Sequence, residues 1–179
     1  VQNETNVIDF EFGRTSRSCP PFCIQPISLG PGIETVGELE VIEALRKISA
    51  GDRSTLVIDA RTSNWLQEGM IPGAVSIPWN KLHLKHTSEE DLLEILEFEL
   101  GVVRTSELLN FENAKTLIIY CNGNWCGQSS TVIRSLRVLG YPERRLKWYR
   151  GGVQAWKMLG LTMILPDGTK VIDPLDAGW

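Results

Sequence analysis

The stretch Leu117-Ile118-Ile119-Tyr120-Cys121-Asn122-Gly123-Asn124-Trp125-Cys126-Gly127-Gln128-Ser129-Ser130 decides how the chain reads. Its opening is apolar and β-prone and makes a short strand. Its middle holds two glycines, two asparagines and a glutamine, which build turns rather than core. Beyond it, Val132, Ile133, Leu136 and Leu139 are spaced for one face of a helix that Ser129 or Ser130 can cap. Cys121 therefore stands where a strand gives way to a loop and the amino end of a helix. Loop amides and the helix dipole direct positive charge to such a place. The expectation is a lowered pKa and a nucleophilic thiolate at Cys121, in a loop whose glycines supply unusual backbone angles. A cysteine that simply packs at a strand end is the plainer alternative.

The pattern repeats on either side. Leu56-Val57-Ile58-Asp59-Ala60 is a continuous apolar strand, and Ile33–Val36, Val75–Ile77 and Leu146–Tyr149 read as shorter ones. Leu39, Ile42, Leu45 and Ile48 recur at helical spacing, as do Val153, Trp156 and Leu159. A capping box at Thr87 to Glu90 precedes an apolar run from Leu92 to Leu100, and Leu108, Leu109 and Phe111 continue a weaker helical pattern. Pro166-Asp167-Gly168 turns a small hairpin. Strands alternating with helices give an α/β fold, a doubly wound open parallel sheet with helices on both faces. In such sheets the site lies at the carboxyl ends of the strands, where Asp59 and Cys121 share one rim.

Residues 1–32 differ in character. Cys19-Pro20-Pro21-Phe22-Cys23, then Pro26, Gly30, Pro31 and Gly32, describe an irregular extension, so one domain is expected over 33–179. The net charge of -4 gives no reason to expect a nucleic-acid partner, and no apolar run is long enough to span a membrane. Val1 in place of a methionine indicates a trimmed amino terminus. With paired cysteines, that leaves a periplasmic or secreted location open beside a cytoplasmic one. Cys19 and Cys23 can form a local disulfide that stiffens the extension, hold a soft metal, or relay sulfur; stiffening is the plainest reading. The extension also offers a place for a protein partner.

Taken in order, Asp59-Ala60-Arg61, Glu68-Gly69-Met70-Ile71-Pro72-Gly73-Ala74, the Cys121 loop and Tyr149-Arg150-Gly151-Gly152 with Ala155-Trp156 resemble a single rhodanese-like domain, from about Ile33 to Leu165. The resemblance implies sulfurtransferase chemistry, in which Cys121 becomes a persulfide and passes sulfur to a thiol or cyanide acceptor. The donor would be a small sulfur compound or a protein persulfide. It further implies that residues Asn122, Gly123, Asn124, Trp125, Cys126, Gly127, Gln128 and Ser129 bind substrate, that Asp59 and Arg61 brace the site, and that no cofactor is needed. Met70 replaces the usual histidine and reads as a packing change. The stretch 122–130 carries no charge, which disfavours thiosulfate, and Gly127 stands where related phosphatases place an arginine. Cys126 is either a resolving thiol or a small packing residue. Two other functions stay in view: a dithiol redox protein cycling a Cys121–Cys126 disulfide, and a non-catalytic binding module.

Overall fold

The computed structural model describes residues 24, 26–106 and 108–171. The Cys19 and Cys23 pair lies outside them. Strands β1 (Glu34–Val36), β2 (Thr55–Asp59), β3 (Val75–Ser76), β6 (Thr116–Tyr120) and β7 (Leu146–Tyr149) form one sheet in the order β1-β7-β6-β2-β3. Every pairing in it is parallel, with Ile58 opposite Ile119 and Ile119 opposite Trp148. β4 (Val103–Thr105) and β5 (Leu108–Asn110) make a separate antiparallel hairpin, as do β8 (Met163–Ile164) and β9 (Lys170–Val171).

The alternation of side chains along β6 sorts the interior into two cores. Leu117 and Ile119 join Ile58, Leu146 and Trp148 on one face. That face is covered by α2 (Glu89–Glu94, continued by a π turn over Ile95–Glu99) and by α3 (Gln128–Val138), through Leu92, Leu96, Val132, Ile133 and Leu136. Ile118 and Tyr120 join Val57 and Tyr149 on the other, beneath α1 (Glu38–Ser49) and α4 (Gly152–Met158), through Val41, Ala44, Val153 and Trp156. Residues 26–32 have no regular structure but are not detached. Leu29 is buried in the first core, its carbonyl accepts from Arg137, and the Gly32 amide donates to Glu143.

Several local expectations are corrected. Leu39 is 78% exposed and Leu159 is 60% exposed; Val41 and Ala44 carry the burial in α1. Ser88, not Thr87, caps α2, accepting from the Asp91 amide. The segment around Leu108 and Leu109 is a strand, because β4 stands opposite it and Arg145 donates to the carbonyls of Phe111, Glu112 and Ala114 just beyond. Arg145 is thus a clamp on that loop. Gly127 occupies the N-cap of α3, so Ser129 and Ser130 fall inside its first turn, where Ser130 Oγ donates back to the Gly127 carbonyl.

At the carboxyl rim Asp59 and Arg61 are both fully buried. Arg61 donates to Asp59 through Nε and through a terminal nitrogen at 2.7 Å, and to the Gly69 carbonyl at 2.5 Å. Tyr120, directly across the ladder, donates to the same carboxylate at 3.0 Å and accepts from the Ile71 amide. Removing one member strands the other charge without water, which costs about 3–5 kcal/mol. Arg61→Leu is therefore expected to lower unfolding stability by that amount in urea titration. The Asp59→Leu/Arg61→Leu double variant is expected to lose less than the sum of the two single variants.

Candidate active site

Side-chain parity fixes where Cys121 points. Leu117 and Ile119 face the first core, so Cys121 continues that face beyond the end of β6 and meets the start of α3. The backbone there is held from the other side. The Cys121 carbonyl accepts from the Val153 amide at 3.0 Å and the Asn122 carbonyl from the Gln154 amide at 2.8 Å. This close approach needs Gly152, whose φ is +58° and whose missing Cβ would overlap the Cys121 carbonyl oxygen. Gly123 also serves by absence: a Cβ there would stand 2.7 Å from Gln154 Oε1. Neither Gly123 nor Gly127 has a left-handed φ, so the expectation of unusual angles in this loop is corrected: Gly123 gives room instead.

The loop folds inward. Cys121, Trp125 and Cys126 form a small cluster of their own, 2%, 4% and 4% exposed. Asn122, Gly123, Gly127 and Ser129 are also buried, Gln128 is half-buried, and Asn124 alone of these residues is exposed. The Cys126 amide donates to the Gly123 carbonyl at 2.9 Å, and this turn brings the second cysteine back over the first. Trp125 Nε1 donates to Gln154 Oε1 at 3.2 Å and closes the loop against α4.

Both cysteines are free thiols, and they compete for the same donors. Cys121 Sγ lies 3.1 Å from Ser129 Oγ and 3.6 Å from the Cys126 carbonyl oxygen. Trp148 Nε1 donates to that Ser129 oxygen at 2.9 Å, which leaves the hydroxyl proton free for the sulfur. Cys126 Sγ lies 3.8 Å from Asn122 Nδ2, which donates to it, and 3.7 Å from Gln128 Oε1. Burial pushes the Cys121 thiol well up, with Cys126 adding to the rise against the Ser129 hydroxyl and amide. Cys126 is drawn down to about 7, first by a hydrogen bond from the Cys121 thiol and then, against burial, by the Gln128 and Asn122 amides. The expectation of a resting thiolate at Cys121 is thereby corrected. The first amide of α3 serves Cys126 and Cys121 is the more deeply buried of the two, so burial holds the Cys121 thiol up while these amides draw Cys126 down.

Asp59 and Arg61 do not reach the sulfur directly. They connect to the loop through Tyr120, the residue before Cys121, whose carbonyl accepts from the Ala60 amide. Met70 pairs by its backbone with Ile164, which ties the β8–β9 hairpin to this rim. Gln154 and Trp148 join the site, as does Arg150 from the Tyr149–Gly152 motif. Arg150 stacks on the Trp148 ring, 5.3 Å from its centroid. A polar Gln154 on the otherwise apolar face of α4 is the one signal that residue order offers.

This geometry agrees with the family that comparison finds. The model of the rhodanese-like domain matches residues 41–159, and the chain belongs to that family. It is similar to a sulfurtransferase from Allochromatium vinosum, 27% identical over 126 residues that cover 70% of this chain and 94% of the relative. Its fold is similar to a Bacillus halodurans protein, with a TM-score of 0.51 and 20% identity over 74% of this chain and 77% of that one. It is also similar to the As-Sb reductase of Leishmania major, with a TM-score of 0.51 and 18% identity over 78% and 92% of the two chains. Among the described residues no helix is long and apolar enough to cross a membrane.

Alkylation of the reduced protein by iodoacetamide should rise with pH through a midpoint near 7, since the thiolate fraction of Cys126 grows above its pKa; in Cys126→Ser that midpoint should move well upward. Gly152→Ala should lower stability by about 2 kcal/mol or more in thermal or urea unfolding, because the left-handed φ and the overlap with the Cys121 carbonyl penalise any side chain.

Proposed function

We propose that this protein is a sulfurtransferase that carries sulfane sulfur as a persulfide on Cys121. The observation that carries the reading is the enclosed Cys121 sulfur at the start of α3, with the Ser129 hydroxyl beside it and a second thiol placed to take its proton. In the reactive protonation state Cys121 carries its proton and Cys126 is ionised. Cys126 accepts the Cys121 proton as Cys121 attacks the outer sulfur of a donor R–S–SH. The bond from Cys121 to that sulfur forms and the donor's S–S bond breaks, its electron pair leaving with RS⁻. The departing thiolate takes the proton from Cys126 and leaves as a thiol. Cys121 now holds the persulfide and Cys126 is again ionised, so charge and atoms balance. A thiol acceptor then attacks the outer sulfur and releases Cys121.

The Ser129 amide and hydroxyl support negative charge on the sulfur chain without a side-chain cation in the loop. That favours a persulfide of low charge over thiosulfate, because an anionic donor forgoes the charged hydrogen bond that would offset its desolvation, about 1.5–3 kcal/mol. The ionised Cys126 also supports a second reading, a dithiol redox protein. The two differ in the co-reactant: the first takes a sulfur atom from a persulfide donor onto Cys121, the second loses two hydrogens to a disulfide oxidant and never carries sulfur.

Cysteine persulfide added to the reduced protein should deliver sulfur at a rate that falls by roughly a thousandfold or more in Cys121→Ser, read by intact mass and by sulfur transfer to an added thiol. Equal rates in the two proteins would set aside Cys121 as the carrier. Thiosulfate should be used at least about tenfold less well than cysteine persulfide in kcat/KM, the equivalent of the missing charged contact.

A further inference from the structure

Cys126 serves sulfur loading as a base, yet the geometry equips it for more. It is a half-ionised thiol at neutral pH, folded onto the sulfur that would carry the persulfide. Cys121 is 2% exposed, so an external acceptor has little access to its sulfur. Cys126 is already inside that enclosure. A thiol with a pKa near ambient pH is also the best attacking group in thiol–disulfide exchange, since it is both ionised and still nucleophilic.

We infer that Cys126 is a resolving thiol: it expels the sulfane sulfur of the Cys121 persulfide as hydrosulfide and closes a Cys121–Cys126 disulfide inside the loop. This rests on the Cys121 persulfide of the proposed function. The Cys126 thiolate attacks the inner sulfur, Cys121 Sγ. A bond forms between the two Sγ atoms, the bond from Cys121 Sγ to the outer sulfur breaks, and its electron pair leaves with HS⁻. The sulfane sulfur is reduced to sulfide and the two cysteines are oxidised by the same two electrons. A dithiol reductant then exchanges with the disulfide, becomes a disulfide itself, and returns both cysteines to thiols.

The turn that holds Cys126 over Cys121 is closed by one backbone hydrogen bond, Cys126 amide to Gly123 carbonyl. The Asn122 and Gln128 side chains touch the Cys126 sulfur from either side. An arrangement with two sulfurs at the first turn of one helix lets the negative charge pass from one to the other as the bond is made. It also means that turnover draws on a dithiol donor, so the protein stands between a reaction that supplies persulfide and one that supplies reducing equivalents as a dithiol.

The test uses the reduced full chain without oxygen and one equivalent of cysteine persulfide, followed by intact mass and by trapping of free hydrosulfide. The wild type is expected to lose two hydrogens and to release one hydrosulfide per chain, and dithiothreitol is expected to restore its mass and permit a second round. Cys126→Ser and Cys126→Ala, which lack the base, are expected to load more slowly but, once loaded, to keep the one added sulfur, which Cys121→Ser never takes up, and to release hydrosulfide at least about tenfold more slowly. A wild type that retains its added sulfur as long as Cys126→Ala does would overturn the resolving role while leaving the Cys121 persulfide standing. Sulfur uptake by Cys121→Ser in place of Cys126→Ala would overturn the assignment of the two cysteines. No uptake in any of the four proteins would overturn the persulfide itself and this inference with it.

Discussion

Asp59 and Arg61 have no access to water, and each is held by every partner within reach. The carboxylate takes the guanidinium, the Arg61 amide and the Tyr120 hydroxyl; the guanidinium also takes the Gly69 carbonyl. A pair of this kind stabilises little against an apolar equivalent but penalises any rearrangement heavily. Its effect is positional. It fixes the end of β2 against the end of β6 and the 69–71 segment against both, so the residue after Tyr120 leaves the sheet in one direction.

At Cys121 the two sulfurs contend for few donors. The amino end of α3 offers its free amides to both. Cys126 takes those of Gln128 and Asn122, and Cys121 takes that of Ser129. The second cysteine removes charge from the first but supplies a proton acceptor in contact with it. Burial then works on the pair rather than on either member: one negative charge is tolerable beside three amides, and two are not.

The fold was legible because the strand cores are continuous apolar runs that alternate with helical spacing. Leu56 to Asp59 and Leu117 to Tyr120 pair register for register in the structure. The β4–β5 hairpin was not legible, since Leu108 and Leu109 suit a helix as well as a strand and the deciding partner, Arg145, lies far along the chain. The loop was found from its composition, but the ranking of its two thiols was not. That ranking depends on which sulfur each amide faces, and residue order does not carry it. Gly152 is visible as part of a motif; its reason, the passage of the Cys121 carbonyl under a position with no side chain, appears only in three dimensions.

The indole of Trp148 donates to Ser129 Oγ, and that oxygen lies against the Cys121 sulfur. A single hydroxyl therefore separates a chromophore from the Cys121 sulfur, and the Arg150 guanidinium covers the ring's face. Any change of charge at the sulfur reverses or strengthens the dipole that the indole feels through that hydroxyl. The Trp148 indole and the Cys121 sulfur thus share one hydroxyl, through which a change at either is felt by the other.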